Sequence, residues 1–68
     1  MTMNELLENA KHFLCLTSNN LREALHHSSS VEAIIILSLI KLVNESRIEV
    51  DALANARIAD AKLNGTSN

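Results

Sequence analysis

The feature that most constrains this chain is its lack of residues that interrupt a helix. Proline is absent from the 68 residues, and the only glycine is Gly65, near the C-terminus. Proline and glycine are the strongest breakers of regular structure, so nothing between Met3 and Leu63 forces the backbone to turn. The sequence therefore predicts an all-α fold built from long helices.

The first predicted helix begins at a capping box. Thr2 and Glu5 have the spacing at which two side chains satisfy the free backbone N–H groups of a helix start. Apolar and small residues then recur at alternating spacings of four and three, which indicates one apolar helix face. That stripe is Met3, Leu7, Ala10, Leu14, Thr17, Leu21 and Ala24, widened by Leu6, Phe13 and Leu25. We expect a helix over about residues 3–27. Its predicted share of the intramolecular core is Leu7, Ala10, Leu14 and Leu21.

A short polar segment predicts the turn. It covers residues 28–30, and Ser29 with Glu32 repeats the capping-box spacing at the start of a second helix. Two helices joined by so few residues pack side by side as an antiparallel helical hairpin. We expect the second helix over about residues 31–63, a single domain over 1–64, and a flexible tail from Gly65 to Asn68.

The second helix is apolar on more than one side. Ten of the thirteen residues from Val31 to Val43 are apolar. At about 100° per residue they fall on two separate faces, of which the first helix can cover only one. Burying one Leu or Ile is worth roughly 1.5–3 kcal/mol, so the uncovered face favours a contact with another protein. The predicted core residues are Ile36, Ile40 and Val43. The predicted partner-binding residues are Val31, Ile35, Leu39 and Leu42, although the two faces could be exchanged.

Two features of the second helix leave alternatives open. Ile34, Ile35 and Ile36 are β-branched and favour a strand, but the preceding capping box and the lack of a partner strand favour a helix. The polar residues 44–47 leave the helix either continuous or bent at that point. Beyond them the chain is rich in alanine, which lets a neighbouring helix approach closely.

The sequence predicts no catalytic, cofactor-binding or metal site. His12, Cys15, His26 and His27 are the residues that could bind zinc, but structural zinc needs four ligands, and adjacent histidines on a helix point about 100° apart. A nucleophilic cysteine needs a lowered pKa and a pocket, neither of which a small hairpin offers. We expect Cys15 to be a partly buried, unreactive thiol and the chain not to be an enzyme.

Composition excludes two classes of partner. The net charge is -2 and Phe13 is the single aromatic residue, whereas nucleic-acid binding needs a basic surface and favours stacking rings. The apolar run from Val31 to Val43 is shorter than the ~20 residues of a membrane span. Glu5 and Glu8 precede the first lysine, unlike the basic start of a secretory signal. We therefore expect a cytoplasmic protein.

The layout of the chain resembles the small E component of type III secretion needle chaperones, the YscE/PscE/EscE family. The resemblance covers about residues 6–53: the segment Leu21-Arg22-Glu23-Ala24-Leu25, the serine turn, and Val31 to Val43. It implies a helical hairpin that acts in protein transport and virulence as a cytoplasmic co-chaperone. Such a protein binds a tetratricopeptide-like chaperone, and the pair keeps a needle subunit monomeric until export. The isoleucine-rich second helix and the alanine-rich end depart from that family, which leaves the position of the contacts open.

Two other functions fit the same pattern. The chain could be a structural protein that self-associates, two hairpins forming a four-helix bundle as a homodimer. It could instead be a small phage or plasmid regulator, or an antitoxin, that docks its apolar helix on one enzyme.

Overall fold

The protein is a hairpin of two α-helices in the computed structural model, which describes residues 1–66 and the side chains of residues 1–63. Helix α1 spans Met3–Leu25 and helix α2 spans Ser30–Thr66. The helices run antiparallel and pack along each other. No strand occurs within residues 1–66. The predicted all-α antiparallel hairpin is confirmed, and the β-strand alternative at Ile34–Ile36 is wrong.

Helix α1 has a cap at each end. At its start the backbone N–H of Glu5 donates to the Thr2 hydroxyl at 3.1 Å, and that hydroxyl donates to the Glu5 carboxylate at 3.2 Å. At its end His26 and His27 donate backbone N–H groups to carbonyls three residues earlier, and the Ser28 hydroxyl donates to the carbonyl of Leu25 at 2.8 Å. These tighter bonds end the helix at Leu25, two residues before the predicted end.

Helix α2 begins at a complete capping box, as predicted. The backbone N–H of Glu32 donates to the Ser29 hydroxyl at 3.3 Å, and the backbone N–H of Ser29 donates to the Glu32 carboxylate at 2.8 Å. Each side chain therefore satisfies a backbone donor that the helix itself leaves free. The hydrogen bond from the Ser29 backbone holds the pKa of Glu32 below its usual range.

Helix α2 is continuous through the polar segment 44–47. The Ser46 hydroxyl donates to the carbonyl of Leu42 at 2.9 Å, so this side chain is satisfied without breaking the helix. The helix also continues through Gly65 to Thr66, so a helix end before Gly65 is wrong. The last two residues of the predicted tail, 67 and 68, lie outside the described residues.

The residues in the contact between the helices follow a heptad-like spacing, but few of their side chains are fully buried. Among residues 1–63, Leu7 is the one buried apolar side chain, at 9% exposure, and Ser18 is buried at 2%. The predicted stripe placed Thr17 and Ala24 in this contact, but both are exposed. The half-buried residues of the interface are Ala10, Lys11, Leu14, Leu21, Leu25, Ser28, Ala33, Ile36, Ile40, Val43, Asn44, Ser46, Val50 and Ala54.

The molecule is a slab one helix thick. Its principal extents are 59 × 20 × 11 Å, and a single helix with its side chains is already about 10–12 Å across. The radius of gyration is 16.6 Å, compared with about 11 Å for a compact domain of this length. Helix α2 is about 20 Å longer than α1 at 1.5 Å per residue, and the excess extends past the start of α1. A slab of this shape has two broad sides and no interior.

We expect the second capping box to set the stability of the hairpin at its turn. Ser29→Ala removes the hydroxyl that accepts from Glu32 and should lower the free energy of unfolding by about 1 kcal/mol. The control is Ser30→Ala, one position into the helix, which should change the stability by less than about 0.5 kcal/mol because alanine is a good helix former. Urea unfolding followed by circular dichroism measures both at one protein concentration. Equal effects of the two substitutions would contradict the role of the cap.

We also expect Glu32 to contribute to the pH dependence of stability. Its pKa is lowered in the folded chain, so its contribution is present above the pKa of an unfolded glutamate and is lost as the pH falls through the lowered value. Glu32→Gln should therefore reduce the loss of stability between neutral and acidic pH. Thermal unfolding at a series of pH values tests this expectation. A variant that loses as much stability at acidic pH as the wild type does would contradict it.

Candidate protein-binding face

One broad side of the slab is polar. A shallow open groove of about 320 Å³ follows the line where the helices meet. It is lined by Glu8, Lys11, His12, Cys15, Arg47 and Asp51, which we call the polar edge. In it the Lys11 ammonium lies 3.1 Å from the Asp51 carboxylate on the other helix and 3.8 Å from Glu8.

The ion pair between Lys11 and Asp51 joins the two helices. The hydrogen bond and the charge of Asp51, with a smaller effect of Glu8, raise the pKa of Lys11 above its ordinary value. Both side chains remain partly exposed to solvent, so the pair stabilises the hairpin only modestly.

The opposite broad side of the slab is apolar on both helices. With Lys11 and Asp51 fixing the polar edge, the helical period of 100° per residue places the residues of this side. We call it the apolar face: Leu6, Phe13 and Ala24 from α1, with Ile35, Leu39, Leu42 and Leu53 from α2. All seven are exposed, and the Phe13 ring is 64% exposed. Val31 is also exposed and lies at the margin of this face, close to the turn.

The apolar face carries no charge along most of its length. From Leu6 to Ala24 on α1 and from Ile35 to Ser46 on α2 the polar residues of this face are uncharged: Asn9, Thr17, Asn20 and Ser46. Glu32, seven residues before Leu39, and Glu49, seven residues after Leu42, lie at the two ends of the uncharged stretch of α2. By the same helical period the charged residues of α1 lie on the polar edge or on the outer side of that helix, and Lys41 and Glu45 of α2 point away. A surface without charge favours an apolar partner.

The structure places the two predicted sets of site residues differently: one set lies in the contact between the helices and the other is exposed on α2. The predicted core residues Leu7, Ala10, Leu14, Leu21, Ile36, Ile40 and Val43 are buried or half-buried. The predicted partner-binding residues Val31, Ile35, Leu39 and Leu42 are exposed. This placement is compatible with the predicted roles; partner binding itself stays a prediction.

Sequence reasoning missed the contribution of α1 to this surface. Leu6 and Phe13 were assigned to a broad core stripe, yet both are exposed beside the apolar residues of α2. The signal that could have separated them is their angle on the helix, about 100–120° from Leu7 and Leu14. Leu53, seven helix positions beyond Ser46, likewise continues the face past the polar segment.

A second group of exposed apolar residues does not form a comparable surface. Ile34, Leu37 and Ile48 lie on the other flank of α2. Lys41, Asn44 and Asn55 lie between them by helical period, and across the hairpin they adjoin the polar edge. This interrupted flank supplies matched controls for tests of the apolar face.

The described residues show no cluster of metal ligands. No group of three or more His, Cys, Asp or Glu side chains that could hold a metal ion occurs in the part of the chain that the structure describes. Cys15 is exposed, so the prediction of a partly buried thiol is wrong. The side of α1 that carries Cys15 faces the open groove and not the interior of the contact. Within residues 1–66, neither helix combines the length and the hydropathy of a membrane span.

We expect the Lys11–Asp51 pair to contribute to the stability of the hairpin. Lys11→Glu places a carboxylate beside Asp51 and Glu8 and should destabilise the chain, and adding Asp51→Lys should restore part of the loss by rebuilding the pair with its charges exchanged. In the wild type the contribution of the pair is present at neutral pH and is lost as the pH rises through the raised pKa of Lys11. Urea unfolding of both single variants and the double variant measures the coupling, and strictly additive effects would contradict it.

Comparison with known proteins gives no relative from which a role could be transferred. No protein-family model, no curated protein and no solved structure matches the chain.

Proposed function

We propose that this chain is a non-catalytic protein-binding module that presents its apolar face to another protein. The observation that carries the proposal is the exposure of an apolar surface that spans both helices and has no charge from Ile35 to Ser46 on α2, while only Leu7 among the described apolar side chains is buried. Large contiguous apolar patches on small chains mark sites of protein interaction.

The shape of the surface favours a helical partner. It is a ribbon of side chains about two helices wide, so it can accept a helix lying between or across α1 and α2. Within it Leu39 and Leu42 lie near the middle of α2's contact with α1, where the centre of an interface contributes most to affinity. Phe13 on α1 supplies the one aromatic anchor.

We propose further that the module is a cytoplasmic co-chaperone of the type III secretion kind. Its small size, its helical hairpin and its exposed apolar face support this proposal. The concave side of a tetratricopeptide-like chaperone offers an extended surface that can hold such a hairpin. The pair would shield the apolar helices of a needle subunit and keep that subunit monomeric.

The test is co-expression of the tagged chain with a tetratricopeptide-like chaperone and a needle subunit from the same source. The expected result is a complex with fixed stoichiometry in size-exclusion chromatography with light scattering. Leu39→Asp, on the apolar face, should weaken it about 100-fold, because burial of the leucine is lost and a carboxylate must lose water. The matched control is Leu16→Asp, an equally exposed leucine on the outer side of α1, which should bind as the wild type does.

Circular dichroism at low temperature separates a docking role from a core role. Leu39→Asp should keep its helicity, whereas Leu7→Asp should lose much of it because Leu7 is buried between the helices. Loss of helicity in Leu39→Asp would place Leu39 in the intramolecular core. A wild-type chain that binds neither protein would contradict the co-chaperone proposal.

A further inference from the structure

We propose that, when no partner is bound, the apolar face is covered by the same face of a second copy of this chain. Two hairpins then form a four-helix bundle in which the docking surface is closed. The inference rests on the proposed function in taking this face as the docking surface, and it adds how that surface is occupied in the free protein. The exposed area, the shape of the slab and the distribution of charge all favour this contact.

The chain exposes more surface than a compact monomer of its mass, and the excess is comparable to the area that a stable dimer interface buries. The chain exposes 5326 Å² of surface, whereas a compact monomer of 7.5 kDa exposes about 4,200 Å². The excess is about 1,100 Å² per chain. A stable interface buries roughly 800 Å² on each partner, so one contact with a second copy would remove most of the excess.

The shape of the slab also suits a second copy. Two slabs, each 20 Å wide and 11 Å thick, stack to a cross-section of about 20 × 20 Å, which is that of a four-helix bundle with helices 8–10 Å apart. Over the length of α1 the footprint is about 35 × 20 Å. Stacking would give Phe13, Leu39 and Leu42 the apolar surroundings that one hairpin cannot supply.

The distribution of charge selects the apolar face for this contact. In a two-fold dimer each face meets an identical face, so any charge on that face enters the interface twice and loses water there. The apolar face has none from Leu6 to Ala24 on α1 or from Ile35 to Ser46 on α2, and Glu32 and Glu49, at the helical positions of Leu39 and Leu42, lie at the two ends of that stretch of α2. Stacking through the polar edge would instead place Lys11, Glu8, Arg47 and Asp51 in the interface, where their charges lose water.

Self-association through this face would regulate partner binding. Because one surface serves both contacts, the dimer and the complex with another protein exclude each other. The apparent affinity for a partner then falls as the fraction of free monomer falls. The second copy protects the apolar residues from non-specific contacts until a partner with higher affinity displaces it.

The test is light scattering on the purified full-length chain alone, at about 100 µM, without any partner. The expected mass is twice 7.5 kDa. The matched variants are Ile35→Asp, on the apolar face, and Ile48→Asp, on the interrupted flank, which replace isoleucines of similar exposure, 58% and 69%. Ile35→Asp should raise the dissociation constant of the dimer at least about 100-fold, since a two-fold dimer carries the change twice, and Ile48→Asp should leave it within about threefold.

A helical wild-type chain that stays monomeric would overturn the inference, as would a dimer broken by Ile48→Asp and kept by Ile35→Asp.

Reaction of Cys15 with a thiol reagent gives a readout that does not depend on a variant folding. Cys15 lies on the polar edge, so it should react equally fast in dilute and concentrated protein, and protection at high concentration would place the contact on the wrong side. A monomer that still binds the chaperone would overturn this inference and leave the proposed function standing, and a dimer that binds no chaperone would do the reverse.

Discussion

The constraint on which the rest of this structure depends is that two helices in one layer cannot enclose a core. Each helix has only one neighbour, so at most one stripe of its surface leaves water, and the buried set within residues 1–63 comes down to Leu7 and Ser18. Folding must offset a backbone entropy cost of about 1–2 kcal/mol per residue. In a hairpin that acts alone, a second helix that is apolar on two sides would leave one apolar side exposed to water. It is the expected composition of a hairpin whose apolar face is covered by another chain.

The two sides of the slab differ because charge is segregated across the hairpin. Lys11 and Asp51 join the helices on one side, and the Glu8 and Arg47 side chains share their groove. On the other side Phe13, Leu39 and Leu42 are exposed with no charge between them. The polar edge carries the ion pair between the helices and is open to water, while the apolar face is available for contact. This division explains why a single surface serves both a second copy and another partner in the proposals made above.

Helix starts and fold class could be predicted from the sequence because their causes are local. Thr2 with Glu5 and Ser29 with Glu32 each act over three residues, and the lack of breakers acts along the backbone. The predicted stripe on α1 departs from the observed contact at two positions, because Thr17 and Ala24 are exposed while the neighbouring Ser18 and Leu25 are buried or half-buried. The Lys11–Asp51 pair joins residues forty positions apart, so it depends on register, which periodicity alone does not give. The apolar face was only half predicted for the same reason, since combining Leu6 and Phe13 with Ile35 requires knowing which flanks adjoin.

The most direct test of this account is the concentration dependence of thermal unfolding. If the hairpin is completed by another copy, the midpoint measured by circular dichroism should rise steadily as the protein concentration increases over about a hundredfold range, because association stabilises the folded chain by mass action. A cooperative transition whose midpoint does not change over that range would show that the hairpin is stable alone. That result would contradict the claim that the apolar face must be covered.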